Sequence, residues 1–427
     1  MARRAPDAAW DLLLICVAAH VLGAVGRIHQ LFPVLLPLKP VVTGLAAGAL
    51  YVLDPHAPRR LAAVRGPTTN CVLLLLLWIG LSVPGALFPG LAFQELISFL
   101  KTVVMYLLIV GCVRAFRDVE RLALTYFAAA AVYSLVVLAR FRVGGDAWRL
   151  AGLYYYDAND LATFVVSALP LGLYFVAGQH RWSKRLACAA GMIAIAVAFV
   201  WSGSRGGFLA LLAVAVFVVF RFTAIRRTTR IVGTAAVVVT VLATASDAYW
   251  TQMRTILKPD EDYNRTEDAG RWKIWQRGIG YMKLHPILGV GAQNFSVAEG
   301  TISPLAKRQE MGIAVRWGAA HNSFVQAGAD LGIPGLLFFV GMLVAAFAAL
   351  TRVARASGVA TGPPDQSRQL AQALMASLIG WAVGAFFLSL AYAEMGYALV
   401  GLAAAMHKVA TPRQSSPAGH RRSSPTR

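Results

Sequence analysis

Of the 427 residues, 58% are hydrophobic and 14% are charged, where a soluble globular chain carries about 25% charged residues. That balance excludes a soluble enzyme and leaves a polytopic membrane protein. The 40 Lys and Arg against 20 Asp and Glu give a net charge of +20. These cations lie in short runs between apolar stretches rather than on one soluble face, so anionic lipid and membrane topology account for them better than nucleic acid does. Cys16, Cys71, Cys112 and Cys188 sit inside apolar runs without metal-type or disulfide-type spacing and read as small buried hydrophobes.

In chain order, apolar stretches predict spans at about 10–26, 31–53, 71–89, 93–113, 121–139, 159–177, 186–201, 205–222, 230–246, 324–350, 370–390 and 392–408. The expected fold class is therefore an all-α integral membrane protein of about 12 transmembrane helices. Its expected parts are spans over 1–246, a large external loop with an amphipathic helix over 247–320, spans over 321–410 and a disordered basic tail over 411–427. The basic start with Arg3 and Arg4 reads as an uncleaved first helix with a cytoplasmic N-terminus. With that orientation, Arg59, Arg60 and Arg65, then Arg114, Arg117 and Arg121, then Arg181, Lys184 and Arg185, then Arg221, Arg226, Arg227 and Arg230, and finally Arg352, Arg355 and Arg368 all fall on the cytoplasmic side. This follows the positive-inside bias, places the long 247–320 segment outside and puts the C-terminus inside.

Candidate chemistry follows the same order. Lys101, about 9 Å along a helix from Glu95, is a possible cation near a lipid phosphate, or a partner for Glu95. Asp157, Asn159 and Asp160 in GLYYYDANDLA read as the cap of the sixth span. Arg205 in SGSRGG stands at the outer end of a span, where an arginine is costly without an anionic partner, and the small residues beside it would admit a bulky anion. Asp260, Glu261 and Asp262 look like a metal-nucleotide DxD run, but nucleotide sugars are made in the cytoplasm and this run is expected outside. In GRWKIWQRGIGYMKLHP the apolar stripe Trp272, Trp275, Ile279 and Met282 predicts a surface helix, with Arg271 at the inward edge and Lys273 and Arg277 pointing away. GVGAQNF reads as a turn rather than a phosphate cradle. In AAHNSFVQ, Asn322 or Ser323 caps the next helix and leaves His321 at the membrane lip. A neutral imidazole there suits removal of a proton from an attacking sugar hydroxyl. Glu394, in the last external turn, could orient His321 or share its proton.

Three patches in this order resemble the O-antigen ligase and polymerase superfamily: SR-G at 204–206, R-W-x-x-W leading into H-P-x-x-G-x-G over 271–291, and H-N-S at 321–323. The resemblance implies a glycosyltransferase C-like membrane fold without metal or cofactor, with an undecaprenyl-diphosphate-linked glycan as donor. Carried over residue by residue, the family's two arginines correspond to Arg205 and Arg271 and its histidine to His321, while Glu394 matches its assisting acid only loosely. The expected chemistry is inverting transfer to an acceptor hydroxyl such as lipid A core on the periplasmic face of the inner membrane. The guanidinium groups would stabilise the departing diphosphate. Polymerases of the superfamily commonly show two large external loops with an R-x10-G pattern, whereas this chain has one large loop and none of its arginines there meets that spacing, so the reading leans to ligase, with polymerase as the alternative. A lipid-linked oligosaccharide transporter would place ionisable groups near the bilayer midplane, whereas Asp11, Glu95, Asp160 and Glu394 fall near span ends.

Overall fold

The computed structural model describes residues 10–53, 64–141, 149–150, 155–178, 181–223, 225–258, 262, 264, 267–268, 270–356 and 364–410. Arg3, Arg4, Arg59, Arg60, Asp260, Glu261 and the 411–427 tail lie outside them. The apolar runs form α1 (Leu12–Ala24), α2 (Pro40–Leu53), α3 (Pro67–Ser82), α4 (Pro89–Cys112), α5 (Phe116–Arg140), α6 (Ala158–Gly178), α7 (Trp182–Ser202), α8 (Arg205–Arg221) and α9 (Arg227–Thr244). The long connection carries α10 (Asp247–Arg254) and α11 (Arg271–Leu284), and the chain ends in α12 (Ser323–Arg355), α13 (Pro364–Ala385) and α14 (Glu394–Ala410). Each expected span thus has a helix. Among the described residues seven helices are long and apolar enough to cross a membrane, and α1 and α2 are shorter apolar helices. In lipid every backbone donor and acceptor must be satisfied within the segment, which is why these runs are helices. The protein is multi-pass. The second span starts late: Pro33 and Pro37 supply no N–H, so Pro33–Leu38 is a 3-10 turn and the α-helix begins only at Pro40.

Successive connections alternate between two ends of the bundle. At one end Tyr156 Oη donates to the Val25 carbonyl (2.6 Å), Leu87 N–H to Val290 (2.9 Å) and Leu150 N–H to Trp201 (2.8 Å). At the other, Arg114 pairs with Asp11 at 2.6 Å, Arg368 donates to Thr223 Oγ1 (3.0 Å), and Lys408 Nζ donates to the Val110 and Gly111 carbonyls at the end of α4 and to that of Val113 just beyond it. We call the second the basic end and the first the site end.

The long helix α12 is broken, which its sequence did not announce beyond a Gly and a Pro. Gly332 has φ 70° and ψ −170°, and Pro334 follows. A break of this kind frees backbone groups that lipid cannot satisfy. The 285–294 segment satisfies them: Val290 N–H donates to Ala329, Gly291 N–H to Asp330, and Ile333 N–H to Pro286. Trp78 Nε1 completes the joint by donating to the Ile287 and Leu331 carbonyls at 3.1 and 3.0 Å. The glycine-rich turn expected at GVGAQNF is therefore a brace for a broken span. Gly289 and Gly291 have φ of 66° and 100°, and a side chain at Gly289 would overlap the Asp330 backbone.

Candidate functional site

Arg205 opens α8, where Ser204 accepts from Gly207 N–H as the cap (3.2 Å). Its guanidinium donates to Thr255 Oγ1 at 2.7 Å and pairs with Asp262 Oδ1 at 3.0 Å. Burial pushes the Asp262 carboxyl upward, but hydrogen bonds from Asn264 and Arg205 outweigh it and hold the group below the ordinary carboxylate range. The one described acid of the DxD-like run is thus a seat for an arginine. The small residues beside Arg205 serve packing rather than room for an anion. A Cβ at Gly206 would stand 2.8 Å from Phe387 and one at Gly207 2.6 Å from Ala162.

Helix α11 is rotated relative to the sequence expectation. Its buried face is Ile274, Gly278 and Tyr281, whereas Trp272 and Ile279 are exposed. Arg277 consequently points inward and not outward: it forms a bidentate bond to Glu299 at 2.6–3.0 Å, and Tyr281 Oη donates to the same carboxylate. Burial draws the Arg277 pKa down, and Glu299 more than restores it. Trp275 packs edge-on against Phe386 (5.4 Å) and beside Phe387 (6.3 Å).

That same 386–392 turn holds His321. The backbone N–H of His321 donates to Ser389 Oγ at 2.8 Å, and Ser323 Oγ bridges the Leu388 carbonyl and Leu390 N–H. Asn322 is the cap of α12, accepting from Phe324 and Val325 N–H. His321 sits at φ 48°, and the other described non-glycine residues with positive φ, Arg27 and Gln293, also lie at the site end. Such conformations are uncommon, and they cluster where surrounding structure imposes a functional geometry. Phe387 and Ser389 therefore connect the start of α8 with Arg205, helix α11 with Arg271, and His321.

Burial, and then the nearby Arg271 charge, push the His321 imidazole down to about 4. In the unfolded chain an imidazole titrates near 6.5. Between those values the unfolded chain binds a proton that the folded site refuses, so stability falls as pH drops from about 6.5 to about 4 and levels off below. The ring stays neutral throughout that window. We expect the acid limb of a pH–rate profile governed by His321 to lie near 4 and not near 6.5; a limb between 6 and 7 would contradict this placement.

His321 lines a cavity of about 230 Å³ with Arg277, Arg308, Arg316, Glu299 and Asp268. Arg205 and Arg271 are not in its wall. Glu394 is turned elsewhere: it pairs with Arg27 at 3.1 Å, and Arg27 lies 3.4 Å over the Tyr155 ring. It faces a second cavity of about 270 Å³, shared with Glu95, Asp160, Gln293, Gln326 and Ser389. Ser389, which accepts from His321 N–H, lines this second cavity. Lys101 is not brought to the site. It is exposed on the lipid-facing side of α4 beside Ile97, Leu100 and Val104, about 18 Å along the helix from Pro89, and no ion pair joins it to Glu95 among the described residues. Asp157 Oδ1 accepts from Asn159 and Asp160 N–H at 2.7 Å, the cap expected for the sixth span. Sequence reasoning missed Arg27, whose only sequence signal was being a lone cation in the first external connection.

These features define a multi-pass helical membrane protein with a charged site at one end of its bundle. Residues 190–340 match the family model described as O-antigen ligase. This stretch holds Arg205, Arg271 and His321, so the resemblance read from the motifs is shown over it. The exopolysaccharide production protein ExoQ of Rhizobium meliloti (strain 1021) is 36% identical over 80 residues, which is 18% of this chain and 18% of that protein's length.

Proposed function

We propose that the protein is an O-antigen ligase-like glycosyltransferase that moves a glycan from a polyprenyl diphosphate, such as undecaprenyl diphosphate, to an acceptor hydroxyl. The single observation that carries this reading is a neutral, half-buried imidazole that feels the charge of a guanidinium: His321 under the influence of Arg271, held through one turn against the helix that starts at Arg205. The acceptor oxygen attacks the anomeric carbon and loses its proton to His321. The bond from that carbon to the diphosphate breaks, and the diphosphate keeps the electron pair. Arg271 and Arg205 then stabilise the developing negative charge, with Asp262 giving up Arg205 to the incoming anion. Attack opposite the leaving group inverts the anomeric centre. The positive-inside rule assigns the basic end to the cytoplasm, which turns the site toward the periplasm of an inner-membrane protein. Glu394 contributes by fixing Arg27 at the second cavity, on the side from which lipid A core or another acceptor would approach.

Cells of the native host carrying Arg205→Ala should accumulate long glycan on its lipid carrier and leave the acceptor bare, seen as loss of the surface polysaccharide bands on a gel. Collapse of those bands to a single repeat still attached to the acceptor would replace ligation by polymerisation. Unchanged banding would remove Arg205 from the chemistry.

A further inference from the structure

Helix α9 stands off from the bundle. Val241 is its only buried residue among those described, while Ile231, Val232, Val238, Val239 and Leu242 are exposed. Between α9, α7 and α6 lies a groove of about 410 Å³, lined over most of its length by residues such as Leu173, Met192, Ile193, Val232 and Ala236. At the basic end its lining changes to Arg185, Thr228 and Thr229, in the first turns of α7 and α9. A smaller cavity of about 60 Å³, sharing Leu173, Met192, Gly233 and Val237, continues it toward α8.

Two features identify an occupant. The first is charge: between Asp160 and Asp247 the chain has no acidic residue, and Arg181, Lys184, Arg226 and Arg227 are exposed beside Arg185 at the mouth. The second is length: from Thr228 to Thr240 the groove follows α9 for about 18 Å at 1.5 Å per residue. That is close to the roughly 15 Å of one leaflet, half of a hydrocarbon core of about 30 Å. We infer that this groove binds an anionic phospholipid of the basic-end leaflet, with the phosphate at Arg185, Thr228 and Thr229 and one acyl chain along α9. On the function proposed above, a prenyl-linked donor would place its diphosphate at the site end of the bundle, away from this cationic mouth. The bound lipid braces the helix that leads into the segment holding Thr255 and Asp262, the partners of Arg205.

Native mass spectrometry of the full chain in mild detergent, titrated with phosphatidylglycerol or phosphatidylcholine, tests the site independently of any glycan chemistry. Phosphatidylglycerol should be retained in preference, and Arg185→Gln should cut that retention roughly five-fold, the worth of one surface cation toward an anionic lipid. Ala236→Trp should fill the groove and remove retention of both lipids, whereas Arg352→Gln, a cation at the same end outside the groove, should leave it unchanged. Equal retention of the two lipids, unchanged retention in Arg185→Gln, or preferential retention of a prenyl phosphate would overturn the assignment.

Discussion

Replacing His321 with asparagine is expected to lower glycan transfer by about 10²–10⁴-fold, the usual contribution of a positioned general base, while leaving the fold and donor binding intact. Asparagine suits the test because position 321 has φ 48°, and Asn is among the few non-glycine residues that adopt this region readily. The contact that fixes the backbone, His321 N–H to Ser389 Oγ, does not involve the side chain and survives the substitution. Single-turnover transfer with purified protein separates the two effects. The rate should fall while the melting temperature and the donor dissociation constant hold. A variant that transfers at the wild-type rate removes the imidazole from the reaction, and one that loses donor binding equally makes His321 a binding group.

The second large effect concerns the broken span. Gly332→Ala should prevent recovery of folded protein, or cost more than about 4 kcal/mol, the range reserved for overpacking and backbone strain at a fixed joint. The added Cβ would stand 2.5 Å from the Ile287 carbonyl oxygen and 2.6 Å from that of Pro286, both backbone atoms, at a φ of 70° that alanine resists. Gly48→Ala is the matched control, since nothing lies within 4 Å of a Cβ placed there inside α2. That change should be neutral or stabilising by up to about 1 kcal/mol. Fluorescence-detected melting in detergent compares the pair. Equal melting of Gly332→Ala and wild type would mean that the 285–294 segment does not brace α12.

How much of this was legible in the sequence depended on the range of the interaction. The spans and their caps were, because a run of apolar residues and a Ser, Asn or Asp at its start act within one helical turn. Asp157 and Asn322 do what their positions implied, whereas the Ser204 cap of α8 emerged only in the structure. Helix α11 shows the limit. Its apolar stripe was present, but periodicity marks apolar residues without saying whether they meet protein or lipid. Trp272 and Ile279 took the exposed side while Ile274 and Tyr281 took the buried one. Arg277 then found Glu299, 22 residues on, and could not have been placed without it. Glu394 and Arg27 are 367 residues apart, so the partner of Glu394 was beyond any local rule, and His321 was the wrong neighbour to expect for it. The break in α12 was encoded in two places at once, in Gly332 and Pro334 and in the glycines of the 285–294 segment, and neither half shows its purpose without the other.

On the mechanism proposed above, this site transfers a glycan from a prenyl diphosphate through direct attack assisted by His321. The most direct measurement supplies purified protein in detergent with a defined polyprenyl-diphosphate glycan and an acceptor, then follows product, released polyprenyl diphosphate and the anomeric configuration of the new linkage. One polyprenyl diphosphate should be released per glycan transferred, with inversion at the anomeric carbon. A linkage with retained configuration, or no product without a sealed membrane to work across, would contradict it.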